Sequence, residues 1–184
     1  MGPPRLLFSR SRPRRLAKDV NSKTSANVNR VLVAAVLLVA PFEGGDAYAQ
    51  STQEHVHHMA HEVMPFDISR TTHIFRMTES GGVQRVVAKD PGDAQQIALI
   101  QQHLQHEASR FQRGDYADPE TLHGADMPGL QELRRSAPKI RVTYSPRPDG
   151  AQIVFETGDL PTLTAIHRWF GAQLSEHGAD AKAE

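Results

Sequence analysis

The chain has 184 residues, with 21 Lys and Arg, 21 Asp and Glu, ten His and no Cys. This length suits one domain and excludes a large multidomain enzyme. Residues 50–184 hold all ten histidines and carry 13 basic against 18 acidic side chains, so bulk charge predicts no nucleic-acid binding. Without cysteine there is no disulfide, and we expect packing alone to hold the fold.

The N-terminal segment has the pattern of a signal peptide. Basic residues precede an unbroken apolar run from Val31 to Ala40, and Ala47-Tyr48-Ala49 supplies a small-residue cleavage site. A membrane-spanning helix needs roughly 20 apolar residues, and this run of ten is too short to favour a stable membrane anchor. We therefore predict that residues 1–49 are a signal peptide cleaved after Ala49, and that the protein is exported to the periplasm or secreted.

The first half of the mature chain begins with a polar, His-rich segment over residues 50–71, which we predict to be a flexible arm or a short helix. Two β-prone runs, 72–77 and 83–88, flank a glycine-containing turn and predict a β-hairpin. A helix over 90–113 follows, opened by an Asp-Pro pair. Its buried stripe is predicted to be Ile97, Ile100, Leu104, Ala108 and Phe111.

The second half repeats this order after a Pro- and Gly-rich connection and a short helix over 129–136. The runs 139–145 and 151–157 flank an Asp-Gly turn and predict a second hairpin. A second helix is predicted over 159–177, with a glycine at its C-terminal end. Its predicted buried stripe is Leu163, Ile166, Phe170 and Leu174.

The matching order of elements predicts two hairpin-plus-helix repeats, 72–126 and 139–180, within one domain over 72–180. The tetrapeptide His-Gly-Ala-Asp occurs in both repeats, at 123–126 and 177–180. Two such units can pair their hairpins and cover one face with their helices. We therefore predict an α+β two-layer sandwich with a four-stranded antiparallel sheet and both helices on one face.

Histidine clusters are the chemical feature of the mature chain, since neutral imidazole is a common metal ligand. In the arm, His57 and His61 share a face if the segment is helical, and His58 lies between them. We expect these three to bind copper or zinc, and the thioethers of Met59 and Met64 favour copper. The alternative is a solvated polar tail that is rich in histidine.

A second cluster, His103, His106 and Glu107, lies on the first long helix and is a secondary metal candidate. The spacing is neither His-Glu-x-x-His nor His-x-x-Glu-His, so it matches no known zinc-protease motif. A solvated helix face is the commoner explanation for such a cluster and the one that we favour.

The loop that begins at His123 is the third candidate, because His123, Asp126 and Met127 lie within five residues. A carboxylate beside a histidine fixes its tautomer, and all three side chains can bind a metal. The alternative is structural: Asp126 caps the next helix and His123 packs at the sheet edge. Trp169, on the second long helix, is the predicted flank of a pocket or binding surface.

The stretches 64–75, 123–129 and 166–180 resemble a family of short exported bacterial proteins of unknown function. Some members carry the label aspartate carbamoyltransferase, whose carbamoyl phosphate motif reads Phe-x-x-x-Ser-Thr/Gly-Arg-Thr. The corresponding segment, Phe66 to Thr71, lacks one position before the serine and one after it. The mature chain is also about one domain long rather than two. The resemblance therefore implies no activity or catalytic residue.

We expect a soluble, non-enzymatic exported protein that binds copper or zinc through its histidines. A binding module of the cell envelope with an unknown protein or ligand partner is the first alternative. A small hydrolase using His123 and Asp126 is the second.

Overall fold

The computed structural model describes residues 44–184 and the side chains from residue 52 onward. Most of the predicted signal peptide lies outside these residues, and the predicted cleavage point after Ala49 falls within the first helix. The helices are α1 Gly44–Val63, α2 Ala94–Phe111, α3 Ala117–His123, α4 Leu130–Ser136 and α5 Leu160–His177. The strands are β1 Thr71–Thr78, β2 Gly81–Ala88, β3 Arg141–Arg147, β4 Gly150–Glu156 and β5 Ala181–Ala183.

The strands form one mixed sheet in the order β3-β4-β2-β1-β5. The two predicted hairpins, β1 with β2 and β3 with β4, are confirmed, and they join through an antiparallel β2–β4 pairing. The prediction of four antiparallel strands was wrong, because β5 pairs parallel with β1. Three residues carry too little periodicity to mark a strand, and this one forms only because the chain after α5 returns to the free edge of β1.

Helices α2 and α5 pack on the same face of the sheet, as the α+β prediction requires. The ring of Phe155 on β4 lies 5.8 Å from that of Phe111 on α2 and 5.5 Å from that of Trp169 on α5, measured between centroids. Phe111 and Trp169 also contact each other edge to face. One aromatic core therefore joins both helices to the sheet.

Three helices differ from the prediction, α2 in where it begins, α3 in its presence and α5 in its buried face. Helix α2 begins after Asp93, whose carboxylate accepts from the Gln96 backbone N–H, rather than at residue 90. The stretch that forms helix α3 was predicted to be a connection. The helix buries only Pro119 and Leu122, so no long apolar stripe marks it in the sequence. On α5 the buried face includes residues absent from the predicted stripe, namely Ala165, Trp169, Gln173 and His177.

The predicted flexible arm is largely helix α1. Val56 and Ala60 of this helix are buried against Ile68 and Leu122, in a small apolar cluster separate from the main core. The contact with Leu122 ties α1 to α3, so both elements border the same region of the domain.

Gly81, the first residue of β2, is required by the close approach of β4. Its φ is +152°, and a Cβ built on it would lie 1.9 Å from the carbonyl oxygen of Phe155. We expect Gly81→Ala to lower the free energy of unfolding by about 2 kcal/mol or more, because backbone must move to admit the methyl group. Gly158→Ala is the control, since nothing lies within 4 Å of its added Cβ. Equal urea midpoints for the two variants would contradict this account.

Candidate functional site

The described residues enclose a cavity of about 40 Å³ between the sheet, α2, α3 and α5. Its polar lining comes from five elements, β1, β2, α2, α3 and α5, while its apolar walls include the aromatic core. The polar side chains are Gln84, His73, His103, Glu107, Asp118, His123, Gln173 and His177. Sequence-distant histidines therefore meet in one interior space.

Three of these imidazoles are in direct contact. The rings of His73 and His177 stack with centroids 4.6 Å apart, and the ring of His123 meets that of His177 edge to face at 5.1 Å. His73 is on β1, while His123 and His177 are the last residues of α3 and α5. We call these three side chains the histidine triad.

Hydrogen bonding in the triad is incomplete. The Nδ1 atom of His123 donates to the Oε2 atom of Glu176 at 2.7 Å, and the His123 side chain is only 1% exposed. Its Nε2 atom, and both ring nitrogens of His73 and His177, are buried without a hydrogen-bond partner among the described residues. The triad therefore has five buried ring nitrogens without a hydrogen-bond partner among the described residues. A buried polar atom left without a partner costs about 1–3 kcal/mol.

Burial holds three histidines of the cavity neutral, namely His73, His103 and His177. Desolvation lowers the pKa of His73 to about 3, with smaller lowering effects from His103 and His123. It also lowers the pKa of His177 well below its ordinary value and that of His103 to about 4. Neutral imidazole keeps a lone pair available to a metal ion or a proton.

One carboxyl group that lines the cavity, that of Glu107, has a raised pKa. Burial, followed by the nearby Asp118 carboxylate, raises the pKa of Glu107 to about 8, although the Arg110 guanidinium opposes this. Arg110 lies 2.5 Å from Asp118 and 3.4 Å from Glu107. At neutral pH the cavity therefore holds neutral His73, His103 and His177 and a mostly protonated Glu107.

A second histidine–carboxylate pair fastens α1 to the domain. The Nε2 atom of His57 donates to Asp180 at 2.7 Å, and Lys89 donates to the other oxygen of Asp180 at 3.0 Å. His58 and His61, the other predicted arm ligands, are exposed. The three arm histidines do not converge on one point.

The remaining predicted ligands are separated. The carboxylate partner of His123 is Glu176 and not the predicted Asp126, which is exposed in the loop that follows the positive-φ residue Gly124. Met127 is buried in the main core. Trp169 is fully buried, so it offers no outer binding surface and lines the cavity instead.

The secondary candidates divide between the cavity and the surface. His103 and Glu107 line the cavity, whereas His106 is exposed. Within residues 44–184, no three or more His, Asp or Glu side chains are arranged to hold one metal ion as they stand. Rings of the triad would have to rotate for three of them to reach a common point.

One sequence feature marks two members of the triad. The repeated His-Gly-Ala-Asp places a histidine at the C-terminal end of both α3 and α5, each followed by a glycine of positive φ. Those two histidines, His123 and His177, are the pair in edge-to-face contact. His73 carried no comparable signal.

Comparison with known proteins adds no function. No protein-family model, curated protein or solved structure matches the chain. The resemblance to short exported bacterial proteins therefore stays a prediction. In the described part of the chain, no helix has both the length and the apolar character needed to cross a membrane.

We predict that the neutral His73, His103 and His177 make the fold sensitive to acid. Their folded pKa values lie below the unfolded value of 6.5, so their contribution to stability is present above pH 6.5 and is lost as pH falls toward 3. Each of these histidines adds up to about 1.4 kcal/mol per pH unit to the fall in the free energy of unfolding. Urea unfolding between pH 4 and pH 7 measures this slope, which His73→Gln should reduce. An unchanged slope in that variant would refute the assignment.

The raised pKa of Glu107 predicts that the free energy of unfolding falls as pH rises above neutral. Its folded pKa of about 8 exceeds the reference value of 4.5, so its contribution to stability is present below pH 4.5 and is lost as pH rises through 8. Glu107→Gln should therefore gain at least about 1 kcal/mol relative to the parent between pH 5.5 and pH 8.5. Glu79→Gln, in the exposed β1–β2 turn, is the control. The same relative change in both variants would contradict a buried, uncharged Glu107.

Proposed function

We propose that the chain is an exported, non-enzymatic protein that binds one transition-metal ion, copper or zinc, through the histidine triad. The observation that carries this proposal is the set of five buried imidazole nitrogens without hydrogen-bond partners. A metal bound by one nitrogen from each ring would satisfy three of them. His123 is retained from the predicted ligands, and His73 and His177 replace the arm residues.

The protonation state of His73 and His177 supports this proposal. A metal competes with protons for imidazole, so ligands that burial keeps neutral need no deprotonation near pH 7. Glu176 supplies the carboxylate that metal-bound histidines commonly use to fix the ring and raise its basicity. Because the Nδ1 atom of His123 donates to Glu176, the lone pair of this ring is on its Nε2 atom, which has no hydrogen-bond partner among the described residues.

The size of the cavity favours an ion over an organic ligand. Pockets for drug-sized molecules occupy about 300–1,000 Å³, whereas this cavity measures about 40 Å³. A water molecule needs only about 10–15 Å³ by the same kind of measure. One ion with a water molecule or two therefore matches the space, and a nucleotide or sugar does not.

The ligand chemistry favours copper within the transition metals. Imidazole suits both copper and zinc, and divalent copper binds nitrogen ligands more strongly than zinc does. The thioether of Met64 also lines the cavity and is a ligand that Cu(I) accepts. Metal binding requires the stacked rings of His73 and His177 to separate. We therefore expect the free energy needed to rotate at least one ring to reduce the observed affinity.

The single tryptophan of the chain makes the proposal testable. Trp169 lines the cavity, and Cu(II) quenches indole fluorescence at short range. We expect the untagged protein from Gln50 to bind one Cu(II) with stoichiometric quenching. His73→Gln and His177→Gln should each weaken binding more than about tenfold, and Glu176→Gln by roughly tenfold.

Two further samples decide where the metal binds. A His55→Gln/His58→Gln double variant removes exposed imidazoles of α1 and should keep the quenching and the affinity of the parent. Zn(II), which does not quench, should displace Cu(II) and restore the fluorescence. Binding without quenching, or binding lost in the α1 variant, would place the metal at the surface and refute the triad.

A further inference from the structure

A surface cleft of about 520 Å³ adjoins the cavity beside the end of α1. Its rim carries the exposed imidazoles of His61, from the last turn of α1, and His106, from α2. The predicted arm and helix clusters, more than forty residues apart in the chain, therefore contribute to one opening. We call it the outer cleft.

The outer cleft and the cavity share one boundary. Four residues line both spaces, namely Val63, Met64, His103 and Asp118. The ring of His103 is held edge to face against Phe66, at 5.5 Å between centroids, and Phe66 in turn contacts His73 of the triad. A side chain with ligand chemistry thus stands between solvent and the triad.

We propose that the outer cleft is the route by which the metal ion reaches the triad, with His103 passing the ion from the cleft to the cavity. This inference rests on the proposed function. His106 and His61 would take a hydrated ion at the rim, and His103 would replace further water molecules as the ion moves inward.

Desolvation is the reason that such a route needs ligands. Moving a bare cation past apolar walls is costly unless donors replace its water molecules step by step. Asp118, the charged group at the boundary, is already paired with Arg110 at 2.5 Å. The donors left for the ion at the boundary are the imidazole of His103 and the thioether of Met64, both acceptable to copper.

Stopped-flow fluorescence separates the route from the site. Mixing Cu(II) with the protein gives the rate at which Trp169 is quenched, while titration gives the affinity. We expect His103→Gln to slow quenching about fivefold or more and His106→Gln to slow it less, with the affinity changed less than about twofold. His55→Gln, an exposed histidine of α1 outside the cleft, is the matched control and should leave the rate unchanged.

The outcomes are distinguishable. Quenching at the parental rate in both cleft variants, with binding intact, would overturn the route and leave the proposed function standing. Loss of affinity in proportion to the rate would make His103 a ligand of the final complex, which also overturns the route. Absence of stoichiometric quenching in the parent protein would reject the proposed function together with the route. Because His106 is exposed, its variant keeps the test decisive if His103→Gln destabilises the fold.

Discussion

The burial of three imidazoles at the junction of β1, α3 and α5 is the constraint on which the rest of the structure depends. Each neutral ring carries a donor and an acceptor, and the triad leaves five ring nitrogens without partners among the described residues. Since a domain of this size is stable by only about 5–15 kcal/mol, unsatisfied groups at about 1–3 kcal/mol each are a large part of that margin. The surrounding aromatic core must supply the burial that offsets them. A ligand that satisfied them would stabilise the fold as it bound.

The segment from Glu176 to Asp180 connects this junction to the remaining elements. Glu176 accepts from His123 of α3, His177 stacks on His73 of β1, and Asp180 accepts from His57 of α1. Five consecutive residues thus reach three elements. This arrangement explains why the end of α5 is buried where helix ends are usually solvated. It also makes the position of α1, and so the width of the outer cleft, depend on the same turn that sets the triad.

Apolar periodicity predicted most of the fold because the hairpins and the two long helices bury regular apolar stripes. It failed where burial is polar. On α5, Gln173 and His177 are buried because they line the cavity, while the predicted Leu174 is only partly buried. Helix α3 buries too few apolar residues to be recognised, and β5 exists only through its pairing with β1. These elements depend on contacts between distant segments, which local pattern does not contain.

The same physics explains which part of the candidate site could be predicted. Clustering in the sequence predicted a site on the arm, but neighbouring side chains on a helix have different surroundings: His57 contacts Asp180, while His58 is exposed. The repeated tetrapeptide was more informative, because a histidine that ends a helix before a positive-φ glycine occupies an equivalent position in both halves. The two copies differ in their aspartates, Asp126 exposed and Asp180 buried. The carboxylate that pairs with His123 comes instead from Glu176 in the second half. The triad is therefore complete only when both halves are folded together.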